Sequence, residues 1–215
     1  MISHLLSFFK TLYFNLRYLS LRQAIKLPIA VQYKTKCRIK GNLKIISNQL
    51  SPFMIRIGFH TVPVKNEETT AIIVDGTLIF NGGAHIGRGT RIVVGKDGVL
   101  ELGDNFAISA SSYINCHLSI VIGKDVQLAW DDLLMDTDAH IIFDENGNVI
   151  NKDKEIILGD KIWMGCDCKV LKGACIPNNC VVGANSVVTT SRFEPNSLIV
   201  GNPAKSIKKI GGWKL

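Results

Sequence analysis

Apolar residues recur at six-residue steps through the last third of the chain, at Leu158, Met164, Val170, Ile176, Val182 and Val188. Four positions after the first five stand Ile162, Cys168, Ala174, Cys180 and Ser186, mostly small residues, and Gly159, Gly165, Pro177 and Gly183 follow several of the apolar positions. A helix would repeat near 3.6 and a half-buried strand at two, so neither template fits. Six residues make one short strand and one corner, and three such faces close a triangular coil of about eighteen residues. The apolar residue then points into the prism, and the position four later points inward beside a corner, where a small side chain fits. Coils stack through parallel ladders, so none is stable alone. Upstream, Leu102, Ile108, Ile114 and Ile120 keep the step, and the register slips by two before resuming at Ile122, Leu128 and Leu134.

The expected fold class is therefore all-β, a parallel β-helix of hexapeptide repeats over 29–209, with a short tail at 210–215. Residues 30–80 are rich in β-branched side chains with turn punctuation and read as irregular strands without a clear period. Residues 1–28 form a separate unit. Ile2, Leu5, Phe9, Leu12, Leu16 and Leu19 fall on one helical face, with Ser3, Ser7, Lys10, Thr11 and Tyr18 opposite, and Pro28 ends the pattern. Lys10, Asn15, Arg17 and Arg22 interrupt the apolar residues, so no run is long enough to span a bilayer. Two readings of this basic amphipathic helix stay open: peripheral contact with a membrane interface through residues 1–27, or packing on the domain.

The hexad pattern breaks at one place. Carried on from Leu134, it would bury Asp138 at the small inward position and His140 at the apolar one. An ionised carboxylate is not stable in a dry prism without a partner, so the chain must leave the coil around Asp136. The segment 141–157 then reads as an excursion, with Asn146-Gly147 suited to a hairpin turn, and the coil resumes at Leu158. Local rules broken at one point often mark a site.

Composition narrows the partners. The 215 residues carry a net charge of +7, which favours anions without choosing among nucleic acid, lipid and a phosphate-bearing cosubstrate. No cationic residue precedes the first apolar stretch and no small-residue cleavage site follows it, so a cytoplasmic protein is expected, with its six cysteines as free thiols. A cluster of Lys205, Lys208, Lys209 and Lys214 sits where the chain leaves the coil. Cationic groups of this kind suit a nucleotide phosphate, and no binding of nucleic acid is expected.

The segments LGDKIWMG (158–165), VLKGACIP (170–177), VVGANSVVT (181–189) and GNPAK (201–205), with MDTDAH (135–140) upstream, resemble the hexapeptide-repeat acetyltransferases. Within them, the sugar and capsular polysaccharide O-acetyltransferases are the nearer match. The resemblance covers roughly the last hundred residues and touches 1–80 only loosely. It implies a left-handed coil, since the period alone sets no hand, and a homotrimer with active sites between subunits. Acetyl-CoA would be the cosubstrate and a sugar or glycan the acceptor. It makes His140 the catalytic base, with Asp138 or Asp136 as candidates to orient its ring. Trp163 would flank the pantetheine arm, Cys166, Ala184 and Thr189 would line it, and Lys205 and Lys208 would meet the phosphates. Asn115 and His117 are candidates to hold the acceptor. The chain departs from many relatives at Thr190, where they carry a lysine.

The chemistry agrees with the residue. A neutral hydroxyl is a poor nucleophile, and an imidazole, titrating at about 6.5 in model peptides, can take its proton in the transition state. Such a base is typically worth about a hundred- to ten-thousandfold. Rival readings are N-acetylation of a nucleotide-linked amino sugar, a non-catalytic trimeric scaffold and a zinc carbonic anhydrase. Against the last, His85, His117 and His140 lie 32 and 23 positions apart with no second histidine soon after His117. No metal is expected, and Cys168 and Cys180 occupy small inward positions that explain them without one.

Overall fold

A computed structural model describes residues 2–47, 49–60, 69–189 and 192–214. Two helices, α1 (Ile2–Tyr18) and α2 (Leu21–Ala24), precede the coils. The first coil runs through β1 (Ile29–Val31), β2 (Lys36–Ile39) and β3 (Asn42–Ile45), and the second through β4 (Ile55–Phe59), β5 (Ala71–Val74) and β6 (Thr77–Phe80). The third and fourth use β7 (Ala84–Gly87), β8 (Arg91–Val94), β9 (Val99–Leu102), β10 (Phe106–Ala110), β11 (Tyr113–Cys116) and β12 (Ser119–Ile122). Next come β13 (Gln127–Trp130), β14 (Leu133–Met135), β15 (Ile156–Leu158), β16 (Trp163–Met164), β17 (Lys169–Leu171) and β18 (Cys175–Ile176). β19 (Val181–Val182), β20 (Val187–Val188), β21 (Ser197–Gly201) and β22 (Ala204–Lys209) complete the chain.

Every third strand stacks on its predecessor, which gives three sheets: a first face from β1 to β22, a second from β2 to β20 and a third from β3 to β18. Pairing between coils is parallel, and the closing β21–β22 hairpin is antiparallel. The hexad residues form continuous inward columns. On the first face Ile108, Leu128, Met164 and Val182 meet in register, and on the second Ile114, Leu134, Val170 and Val188 do so. All are at most 2% exposed, as are Cys168, Ala174, Cys180 and Ser186 at the small positions. Burying one large aliphatic side chain is worth about 1.5–3 kcal/mol, so the columns hold the stack together.

The two-residue slip near Ile120 has a structural cause. The third face is wider upstream, where β9 turns both Leu100 and Leu102 inward and β12 both Ile120 and Ile122, while on β18 only Ile176 points in. Ile114 therefore meets Leu134 twenty positions on, whereas Met164 meets Val182 after eighteen. Residues 30–80, which showed no period, already belong to the prism. Ile72 and Val74 are fully buried and pair with Ile92 and Val94, and the insertions between β3 and β4 and between β4 and β5 obscured the spacing. Corners repeat as faithfully as faces. Ser111, Asp131, Asp167 and Asn185 all take positive φ at successive turns between the first and second faces, a conformation that Asn and Asp tolerate best.

Helix α1 forms, but with its faces the other way round from simple amphipathic packing. Its polar stripe lies inward, against the unpaired edge of β1. Thr11 Oγ1 accepts from the Val31 amide at 2.9 Å, Asn15 Oδ1 accepts from the Ile29 amide at 3.2 Å, and Asn15 Nδ2 donates to the Ile29 carbonyl at 2.6 Å. Ser7 Oγ accepts from Tyr33 N, and Lys10 Nζ donates to the carbonyls of Tyr33 and Thr35. The side chains stand in for a missing strand, which explains why the inward face is polar: backbone groups at a sheet edge need partners. Phe14 adds the single large apolar plug, 2% exposed. Ile2, Leu5, Phe9, Leu12 and Leu16 face outward. Among the described residues nothing of the domain covers that face.

Candidate active site

The chain leaves the prism after Met135 and rejoins it at Ile156, which pairs with Ile120, two residues earlier than the expected return at Leu158. The excursion opens at the corner between the second and third faces. In the neighbouring coils that corner carries His117 and Leu118 before it, and Lys172, Gly173 and Thr189 after it. Lys154 N donates to Asp136 O at 3.2 Å and closes the neck of the loop. Its tip is the expected hairpin: Phe143 and Val149 form an antiparallel bridge, and Asp144 Oδ1 accepts from the amides of Asn146 and Asn148 at 2.9 and 2.8 Å. Gly147 supplies the left-handed residue, with φ +80°.

Leaving the coil has a cost. Amides of one coil normally donate to carbonyls of the next, and here the next coil is absent for residues 117–119. Asp136 fills the gap. Its carboxylate is fully buried and accepts from His117 N at 2.7 Å, Leu118 N at 2.8 Å and Ser119 N at 2.8 Å. The buried acid that sequence reasoning offered as a possible orienter of the His140 ring is therefore occupied with the backbone of the preceding corner. Among the described residues it makes no contact with that ring.

Asp138 and His140 are exposed. Asp138 is held by Lys172, whose ammonium donates to Oδ2, and by Asn151 Nδ2 at 2.9 Å. Those two hydrogen bonds, Lys172 first, draw its carboxyl below the usual range. Asn151 Nδ2 also donates to His140 O at 2.8 Å, and Asn151 Oδ1 accepts from Ile142 N at 2.7 Å. Lys172 Nζ reaches Asn151 O at 2.6 Å. Two residues that sequence reasoning missed thus clamp the outgoing and returning arms together and fix the backbone of His140. Lys172 lay inside a quoted motif, one position after the outward Leu171, and Asn151 had no signal in its spacing. The imidazole itself makes no hydrogen bond among the described residues, and Asp138 contacts Lys172 and Asn151, not the ring.

The acceptor candidates lie on the same side. His117 is exposed at the corner above the excursion, its ring packed where a Cβ on Gly95 would meet Nδ1 at 3.1 Å. Asn115 is 8% exposed on the outer surface of β11, and its Oδ1 has no partner among the described residues. The donor candidates lie elsewhere. Trp163, 45% exposed, is on the first face, and Cys166 and Ala184 follow it at the corner between first and second faces. Thr189 follows β20 at the His140 corner, two coils on. Lys205 and Lys208 are exposed on β22. Thr190, the point of departure from relatives, falls outside the described residues.

This set fits the expected donor. Gln127 and Val181 flank the exposed indole in register, Cys166 and Ala184 follow at the corner as small groups, and Gly165 lies so close to the next coil that a Cβ there would meet Ala184 N at 2.7 Å. Such a surface suits a narrow pantetheine arm, and the exposed ammonium groups of β22 suit phosphates. Within one chain, however, Trp163, Cys166 and Ala184 are separated from His140 by the full width of the second face. Among the described residues no three His, Cys, Asp or Glu side chains gather as a metal site. Burial, ahead of nearby acidic charge, pushes the Cys168 thiol up to about 11, in keeping with an interior packing residue.

No family model matches the chain. It is 32% identical over 145 residues to WbbJ of Escherichia coli strain K12, a protein named for lipopolysaccharide-biosynthesis O-acetyl transfer, covering 63% of this chain and 73% of that one. The chain belongs to the hexapeptide-repeat acetyltransferases. Of the family's longer members it spans less: the polysialic acid O-acetyltransferase of Escherichia coli O1:K1 is 29% identical over 59% of this chain, but only 39% of its own length. Among solved structures, the polysialic acid O-acetyltransferase OatWY superposes with TM-score 0.51 at 26% identity, covering 87% of this chain and 91% of that one. The polysialic acid-specific acetyltransferase NeuO gives TM-score 0.54 at 22% identity, over 86% of this chain and 74% of that one. A hexapeptide-repeat acetyltransferase of Vibrio cholerae, solved with acetyl coenzyme A, gives 0.52 at 22% identity over 62% and 70%. The coil accordingly has the left-handed sense of this acetyltransferase's family, and the protein is an acyltransferase.

Proposed function

We propose that this acetyltransferase transfers the acetyl group of acetyl-CoA directly to a hydroxyl of a sugar in a cell-surface polysaccharide, with His140 as general base. His140 would take the hydroxyl proton as the oxygen attacks the thioester carbonyl, and the coenzyme thiolate would leave and be protonated. The observation that carries this reading is the break in the prism between β14 and β15. The fold expels an excursion there, and Asp136, Asn151 and Lys172 hold the backbone around one exposed imidazole. Asp138 acts in this reading through Lys172 and Asn151 as a positioning residue. Asn115 and His117 would meet the acceptor one coil away.

The same reading requires a homotrimer. His140 and the donor surface around Trp163 lie on opposite edges of the second face, so one site takes the base from one subunit and the indole from its neighbour. Residence in the cytoplasm, with peripheral contact at the inner membrane through residues 1–27, belongs to this proposal. No helix among the described residues is long and apolar enough to cross a membrane. Thioester cleavage, followed with a panel of sugar acceptors, tests the chemistry. His140→Ala should lose about a hundred- to ten-thousandfold in turnover while still binding acetyl-CoA. The product should be an alkali-labile ester. Wild-type turnover in the variant, or an alkali-stable amide as product, would reject the assignment.

A further inference from the structure

The outward face of α1 has no partner among the described residues. Ile2, Leu5, Phe9, Tyr13 and Leu16 follow helical spacing, and each is more than half exposed, Ile2 at 74%. Leu21 and Ile25, 72% and 70% exposed, continue the surface past the helix. The polar side that would ordinarily face water is instead spent on the edge of β1 through Ser7, Lys10, Thr11 and Asn15. The helix is thus fastened by its hydrophilic side across the open end of the prism and offers its hydrophobic side to the surroundings. A soluble chain seldom leaves so large an apolar stripe unoccupied.

Charge tells which surroundings fit. The first 66 residues contain eleven Lys and Arg and neither Asp nor Glu, whereas the remaining 149 contain fourteen basic and eighteen acidic residues. The whole positive excess of the protein is concentrated at the end that carries α1. A second copy of the same surface would bring two such cationic ends together, which repels. An anionic lipid surface would be attracted. Beside the helix, a groove of about 440 Å³ runs between Phe8, Phe53 and Phe59, with the Arg56 guanidinium 5.2 Å above the Phe59 ring. Apolar walls with one cation at the rim suit an acyl chain and its phosphate.

We propose that α1 lies in the plane of an anionic bilayer, its Ile2–Phe9–Leu16 stripe among the acyl chains, and docks the end of the prism on the membrane. The interface supplies what the chain lacks, apolar cover for the stripe and negative charge for the surrounding Lys and Arg. This deepens the proposed reaction and rests on it for one point only, that the acceptor glycan is met at the membrane while lipid-linked. The contact itself stands on the exposed stripe and the charge asymmetry.

Vesicle co-sedimentation of the full chain tests it. The wild type should pellet with phosphatidylglycerol-containing vesicles, much less with pure phosphatidylcholine, and release as salt is raised. Phe9→Glu with Leu16→Glu should weaken vesicle binding at least about tenfold, because two anchoring side chains are lost from the interface. Thioester turnover with a soluble acceptor should be unchanged, which reports that the variant folds and separates failure of docking from failure of the proposed chemistry. A fluorophore on Phe9→Cys should shift to the blue on anionic vesicles, a readout that needs no destabilising change. Absence of vesicle binding by the wild type, equal binding by the double variant, or a drop in the variant's sedimenting mass without loss of vesicle binding would overturn the proposal. The last outcome would mean that the stripe joins copies of the chain.

Discussion

At the residue scale, three aspartates near the break do different work, and their burial separates them. Asp136 is fully buried under three backbone amides, so Asp136→Ala should orphan those donors and cost about 3–5 kcal/mol in urea unfolding. Asp138, at the solvent edge, should cost under about 1 kcal/mol when changed to Ala. Equal losses would refute the division of roles. Asp132 behaves in a third way. It is 1% exposed, with Oδ1 accepting from Cys168 N at 2.8 Å and no partner for Oδ2 among the described residues. Burial, with the charges of Asp131 and Asp167 adding to it, raises its carboxyl from 3.8 to about 7. The unfolded chain therefore ionises first. Its destabilising effect is absent below about pH 4, grows between about 4 and 7, and is complete above that, on the order of a few kcal/mol. Asp132→Asn should remove that contribution, so that between about pH 4 and 7 thermal stability declines less, or rises more, than in the wild type. An identical slope in both proteins would count against a neutral Asp132. The sequence exposed the break through Asp138 and His140, since their placement violates the hexad. It did not expose Asn151 or Lys172, because a clamp between loop arms has no period.

At the element scale, the faces of the prism were legible from six-residue spacing, and the corners and ends were not. The spacing hid the first coils because insertions, not side-chain chemistry, interrupt them. It was silent about the inward polar side of α1, because this helix covers a strand edge whose needs are polar. The excursion was legible in outline from Asn146-Gly147, and Lys172 joins Asn151 in anchoring it. Lys172→Met keeps the stem and removes the charge from Asp138 and the Asn151 carbonyl. Turnover should fall about tenfold or more while urea stability changes by less than about 1 kcal/mol, since a misplaced base costs rate more than it costs fold. Unaltered turnover would show that the clamp does not position His140. The clamp should also loosen in acid. The Asp138 carboxyl is drawn down in the folded state, so its contribution is present above the ordinary carboxylate range and fades as pH drops through the lowered value.

At the scale of the whole molecule, the proposed base and the proposed donor surface stand apart on a single chain. The second face lies between His140 and the surface of Trp163, Cys166 and Ala184, and a rigid stack of ladders does not fold back on itself. In the proposed reading a neighbouring subunit closes the gap. The proposed trimer rests on family resemblance, because a six-residue period states which residues point inward and is silent about which outer faces meet. Subunit mixing tests the arrangement most directly. His140→Ala and Trp163→Ala trimers, assayed separately at limiting acetyl-CoA, should each be strongly impaired. After dissociation and reassembly at equal ratio, about a quarter of the sites should pair an intact His140 with an intact Trp163 from the adjacent subunit, and about a quarter of wild-type turnover should return. Mixed trimers that stay as impaired as the average of their parents would contradict a site shared between subunits.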